Sequence, residues 1–216
     1  MKRKRQKSRF FAIGMLVSFA LWTAMLCFVD MGEIGPGGSR VGLATLNGFV
    51  HDLLGVHMTL YVITDWLGLV PIAVAIGFAI LGLWQWIERK SPLRVDADIL
   101  ALGVLYAVVM AVYVFFEVAV IHHRPVLIEG VLEASYPSST TVLVLCVMST
   151  AAMQLHARIQ NGVLRRCVVI AAVAFAAFMV IGRLLSGVHW VSDIIGGALL
   201  SAGLVAGYRS FVCSHA

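Results

Sequence analysis

Charge is scarce in this chain. Asp, Glu, Lys and Arg together make up 12% of the 216 residues, while 61% are hydrophobic and the mean hydropathy is +0.95. A soluble domain carries about a quarter of its residues charged, and no soluble fold of this length can hide so much apolar side chain. Cysteine is also sparse. Cys27, Cys146, Cys167 and Cys213 form neither a disulfide framework nor a CxxC metal site, and they read as small buried hydrophobes. There is no visible repeat and no long low-complexity segment. The basic excess, 16 Lys+Arg against 11 Asp+Glu, sits in short clusters between apolar runs, which argues against a nucleic-acid surface.

What the chain does have is apolar runs of roughly 17 to 23 residues, the length that crosses hydrocarbon as a helix. They fall at 10–29, 65–87, 97–120, 139–156, 167–183 and 190–208. The reading is an all-α polytopic membrane protein, one domain over 1–216, with six transmembrane helices. The first run follows a positive stretch, as in a signal peptide, but it is too long and lacks a small-residue cleavage site, so it is expected to be retained. Between the first two runs, Leu46, Phe49, Val50, Leu53 and Leu54 are spaced as in a short amphipathic helix at the membrane interface. Trp66, Trp84, Trp86 and Trp190 fall near span ends, where their rings favour the headgroup zone, and Trp22 lies inside a span.

Lys and Arg accumulate on the cytoplasmic side of short loops. With the N-terminus inside, the basic run from Lys2 to Arg9 and every other Lys and Arg lie in the cytoplasm except Arg40, Arg124 and Arg183. Both termini are therefore expected to be cytoplasmic, in the plasma membrane. The outward arginines need a role.

Three polar clusters occur at the outer helix ends: EVAVIHHRP at 117–125, YPSSTT at 136–141 and GRLLSGVHWVSD at 182–193. Charge at a membrane edge is costly and marks a functional site, and the outer loops bring all three towards one extracytoplasmic pocket. In the third cluster Asp193 follows His189 by four residues and shares its face if the last helix begins near Val188. A carboxylate that fixes the imidazole tautomer leaves the other ring nitrogen to attack phosphorus. Arg183 offers a planar fork for phosphoryl oxygens. Ser138, Ser139, Thr140 and Thr141 open a span after Pro137, where hydroxyls and free N–H groups bind an anion or simply cap the helix. Arg124 can complete an oxyanion cage, and Pro125 ends the preceding helix. The adjacent His122 and His123 have no patterned carboxylate trio near them, so no metal and no cofactor is expected.

The ordered set resembles the type 2 phosphatidic acid phosphatase family, whose pattern reads KxxxxxxRP, then PSGH, then SRxxxxxHxxxD, and the resemblance covers roughly residues 65–208. It implies that His189 is a nucleophile forming phosphohistidine, with Asp193 as its orienting partner. Arg124 and Arg183 would bind phosphate, with help from Ser138 and Ser139. The implied activity is metal-independent removal of a terminal phosphate from a lipid such as polyprenyl diphosphate or a phospholipid phosphate. The expected partners are that substrate and membrane lipids, and no nucleic acid.

Departures from the pattern sharpen the question. Glu117 stands where the family has Lys, and it should repel phosphate unless it is protonated or paired with Arg124 or Arg183. Ser139 and Thr140 replace the Gly and His of PSGH, and threonine is far too weak an acid to protonate a leaving group near neutral pH. Gly182 replaces the Ser before Arg183. Three explanations follow. Another group, among His122, His123, Glu117 and Glu133, supplies the proton; or the substrate has a good leaving group, as a diphosphate does; or catalysis has been lost and the pocket only binds a phosphorylated lipid as an inactive scaffold. His123 and Glu117 are accordingly placed with Ser138, Ser139 and Thr140 as substrate contacts.

Overall fold

The computed structural model describes the backbone of residues 2–215 and the side chains of residues 5–213. The side chains of Lys2, Arg3 and Lys4, used in the charge reading, lie outside the described residues. Eight helices follow in order: α1 (Lys2–Phe28), α2 (Ala44–Leu54), α3 (Met58–Leu67), α4 (Leu69–Arg89), α5 (Ala97–Val118), α6 (Ser139–Arg158), α7 (Gly162–Leu185) and α8 (Val191–His215). Among the described residues six stretches are long and apolar enough to cross a membrane, with α3 and α4 forming one of them. Among the described residues there is no strand, only isolated bridges. The chain is an all-α integral membrane protein.

The second span begins at Met58 instead of 65. Thr64 and Asp65 look like a boundary in the sequence, yet both are satisfied within the bundle. The Thr64 hydroxyl donates to the carbonyls of Leu60 and Tyr61 at 2.9 and 3.0 Å, and Asp65 accepts from Arg183. A polar residue whose bonds close on its own helix need not end a span.

α1 and α8 run antiparallel along each other. Ser8 Oγ donates to Ala206 O at 2.9 Å, and Trp22 Nε1 donates to Ser192 O at 3.1 Å. The start of α1 and the end of α8 therefore lie at one end of the bundle, and the loop 121–138 and the turn 186–190 lie at the other. α6 packs on two sides. One side packs Val144 and Met148 on Ala172, Ala176 and Met179 of α7, and the other packs Val142 and Cys146 with Val109 and Leu200. In hydrocarbon such contacts are held by close packing and hydrogen bonds, because lipid tails are as apolar as the side chains.

The short amphipathic helix of the sequence reading is α2, and its docking is polar. Asn47 is fully buried. Its Nδ2 donates to Gly42 O and to Ser192 Oγ at 2.8 and 3.0 Å, while Oδ1 accepts from Ser192 N at 3.2 Å. One amide thus closes an orphan N–H in the first turn of α8, while Phe49 and Leu53 face outward. At the opposite end Asp96 receives Arg89 Nη1 and Gln85 Nε2, both at 2.8 Å, and Arg158 reaches Asp98 at 3.0 Å. Hydrogen bonding from Arg89 holds the Asp96 carboxyl below its ordinary range.

Two sequence readings change. Only Cys146 is buried; Cys27, Cys167 and Cys213 lie on the outer surface of the helices, where apolar surroundings are supplied by lipid and not by a core. Trp66, Trp84 and Trp86 are exposed, as interfacial rings should be, but Trp190 is buried and donates Nε1 to His123 O at 2.8 Å. Its place is inside the site.

Candidate active site

Two irregular segments build the site. The first is the turn between α7 and α8. Gly187 has φ +69, and a Cβ there would fall 2.1 Å from Gly55 O, so the turn accepts only glycine. It delivers His189 just before α8, whose first turn is closed by Asp193. The Trp190 N–H donates to Asp193 Oδ2 at 2.9 Å, which is half of a capping box. His189 is therefore not on the helix itself, as a start near Val188 would have made it, because α8 begins at Val191.

The second segment is the loop from α5 to α6, which folds back as a narrow hairpin. Arg124 N donates to Glu133 O and Ser135 N donates to His122 O, both at 3.1 Å. The extended register puts His122 and Arg124 on the same side. Both side chains are buried.

At the centre lies the Asp193 carboxylate, fully buried. Oδ1 is 2.5 Å from His122 Nε2, and Oδ2 accepts from Ser135 Oγ at 2.5 Å and lies 3.4 Å from His189 Nδ1. A buried carboxylate is tolerable only with such a set of donors. The Ser135 hydroxyl gives its proton to Asp193, so its oxygen is left to accept from His189 Nδ1 at 3.1 Å. Every neighbour of Nδ1 is then an acceptor, which assigns the proton to Nδ1 and the lone pair to Nε2. That Nε2 is buried and has no protein partner.

His189 opens onto a cavity of about 320 Å³, shared with Arg124, Glu117, Ser139, Thr140 and Asp65 and walled elsewhere by apolar residues of α4, α5 and α6. Arg124 Nη1 is buried without a hydrogen bond. Its Nε is 3.1 Å from Glu133 Oε2 but out of line for a hydrogen bond. Arg183 stands behind Thr140, not on the wall. Nη2 donates to Thr140 Oγ1 at 2.8 Å and to Asp65 Oδ1 at 3.3 Å, and the guanidinium lies 4.9 Å from the centre of the Tyr61 ring.

Of the residues singled out in the sequence, His189, Arg124, Glu117, Ser139 and Thr140 meet on one cavity, with Asp193 directly behind His189. Ser138 is the α6 cap: its Oγ accepts from Thr141 N and Thr141 Oγ1, and it does not line the cavity. His123 contributes its backbone carbonyl to Trp190, and its side chain is not on the cavity wall. Glu117 is exposed at the cavity and pairs with neither Arg124 nor Arg183 among the described residues. Gly182 fits a close approach, since a Cβ there would come 2.8 Å from Thr64 Cγ2. Sequence reasoning missed Ser135, a hydroxyl one residue before the recognised cluster, and Asp65, which was legible as an acid in an apolar run facing an intramembrane arginine.

The family described as PAP2 superfamily matches residues 98–213. No curated protein matches the chain. Among solved structures, the fold is similar to that of the first transmembrane PAP2 type phosphatidylglycerolphosphate phosphatase from Bacillus subtilis. The TM-score is 0.61 and the identity 17%, over 95% of this chain and 97% of that one.

Proposed function

Because the chain belongs to the PAP2 superfamily, we propose that it is a lipid phosphatase of the plasma membrane, with both termini cytoplasmic and the cavity opening on the extracytoplasmic side. The observation that carries the activity is the buried, unpartnered Nε2 of His189 facing the same cavity as the unsatisfied Nη1 of Arg124. The arrangement supplies a lone pair and an anion-binding fork side by side, which is what attack on a phosphoryl group requires.

His189 Nε2 attacks phosphorus and the bond from phosphorus to the leaving oxygen breaks. Asp193 and Ser135 hold Nδ1–H and stabilise the positive ring. Arg124 and the first turn of α6 take the phosphoryl oxygens, and Arg183 acts through Thr140. The leaving oxygen needs a proton. Of the four proposed donors, His122 is tied to Asp193, His123 does not line the cavity, and Glu133 faces Arg124 from outside it. Glu117 is the one that lines the cavity without a partner. The step uses the protonated carboxyl form of Glu117, which does not repel the bound phosphate. Glu117 gives that proton to the leaving oxygen, then takes one back from the water that cleaves phosphohistidine and frees inorganic phosphate. No step requires a metal. The apolar walls formed by Leu69, Ile72, Val109, Met110 and Phe116 suit a prenyl or acyl tail entering from the bilayer, as in polyprenyl diphosphate or phosphatidic acid.

The test is phosphate release from polyprenyl diphosphate and from phosphatidic acid by purified chain in detergent, with chelator present. Release from either lipid is expected; none from a folded preparation overturns the reading in favour of an inactive lipid-binding protein. In rapid-quench measurement of phosphoenzyme formation, Glu117→Gln is expected to slow a lipid monophosphate by roughly a hundredfold or more while barely changing p-nitrophenyl phosphate, whose leaving group needs no proton; the later cleavage of phosphohistidine slows for both. Equal losses on both in that first step would remove Glu117 from the acid role.

Burial pushes the His189 imidazole down to about 4 from 6.5, with Asp193 opposing and Arg124 adding to the fall. Protonation would remove the lone pair, so the rate of phosphoenzyme formation is expected not to decline as pH drops from about 7 to about 5. A loss centred near 6.5 would contradict the site's geometry. The same lowering means that His189 favours the fold fully above 6.5 and loses this contribution as pH falls towards 4.

A further inference from the structure

A second cavity, of about 850 Å³, lies at the end of the bundle where the termini meet. It is a crevice between α1 and α5, both packed on α8, and Gly203, Leu204 and Gly207 of α8 line it. Arg5 and Arg9 line one end, and the rest is largely apolar, running to Leu16 on α1 and from Ala97 to Val108 on α5. At 1.5 Å per residue each wall is about 16 Å long, close to the hydrocarbon depth of one leaflet, about 15 Å. A lipid chain fits along it with its headgroup at the arginines.

Charge selects the headgroup. The acids at the neighbouring end of α5, Asp96 and Asp98, are already engaged by Arg89 and Arg158. Arg5 and Arg9, one helical turn apart on one face, have no acidic partner among the described residues. Two guanidinium groups with no acidic partner among the described residues, above a leaflet-deep apolar slot, match one anionic phospholipid. The slot is open beside Gly207, where a Cβ would meet nothing within 4 Å.

We propose that the crevice between α1, α5 and α8 is a binding site for an anionic diacyl phospholipid, its phosphate on Arg5 and Arg9. The site lies at the opposite end from His189 and does not depend on the phosphatase reading. The experiment is photocrosslinking of the full chain in phosphatidylcholine nanodiscs. They carry a trace of either phosphatidylglycerol or phosphatidylcholine with a diazirine on one acyl chain, and labelled peptides are mapped by mass spectrometry.

The phosphatidylglycerol probe is expected to label residues 97–108 of α5 and the facing turns of α1 roughly tenfold more than the phosphatidylcholine probe. The pair Arg5→Gln and Arg9→Gln should bring it down to the phosphatidylcholine level. Gly207→Leu, which projects a side chain from a position where a Cβ meets nothing within 4 Å, should independently remove labelling by both probes at these positions. Equal labelling by the two probes, labelling indifferent to both sets of changes, or crosslinks joining two copies through α1 and α5 would each overturn the proposal.

Discussion

His189→Ala is expected to lower phosphate release by roughly four orders of magnitude or more. The substitution removes the atom that forms the covalent intermediate, and nothing nearby replaces it: His122 is turned to Asp193 Oδ1, and its other nitrogen does not line the cavity. Loss of the imidazole does not orphan the carboxylate behind it, since Asp193 keeps His122, Ser135 and the Trp190 N–H. The thermal midpoint should therefore fall little while turnover disappears. Acid-labile, base-stable radiolabel from substrate phosphate should appear on the wild-type chain under rapid quench and be absent from the variant. Turnover that survives the change would end the phosphohistidine mechanism.

Arg124→Ala carries the second largest expected effect. Its Nη1 is buried and unsatisfied at the cavity, so a bound phosphoryl group would complete its hydrogen bonding. Its bonds strengthen as charge builds on the transferring oxygens. Removing one such donor costs about 3 to 4 kcal/mol, a fall of roughly 100- to 1000-fold in kcat. The protein itself loses little, because Glu133, left behind, is 40% exposed in its side chain and returns to water. Arg124→Lys keeps the charge without the planar fork and should recover only part of the activity. A variant with unchanged kcat and raised KM would mean that Arg124 binds the ground state and the transition state equally.

Much of the architecture was legible beforehand because a bilayer restricts the solutions so strongly. Backbone in hydrocarbon must satisfy itself, so runs of about twenty apolar residues can only be helices. The spans over 97–120 and 139–156 accordingly match α5 and α6 closely. The second span was drawn short because Thr64 and Asp65 look like a boundary when their partners are out of sight. Asp65 is satisfied from α7, more than a hundred residues away in the chain. Trp190 was read as an interfacial anchor for a related reason: a residue next to a span end in sequence can lie inside a hairpin that folds over it.

The sequence by itself determined that the chain crosses a membrane six times, and that its polar groups gather at the ends of particular helices. It also showed that an arginine, a histidine and an aspartate occur there at a spacing suited to phosphate chemistry. Only the tertiary structure decided which atoms meet. It turned the loop from α5 to α6 into a hairpin that lays His122 and Ser135 on Asp193, assigned the free lone pair to His189 Nε2, withdrew Ser138 into a cap, and left Glu117 open on the cavity. Spacing within one helix is fixed by 3.6 residues per turn and can be counted. The approach of a hairpin to a helix cap depends on packing between distant segments, which no local count contains.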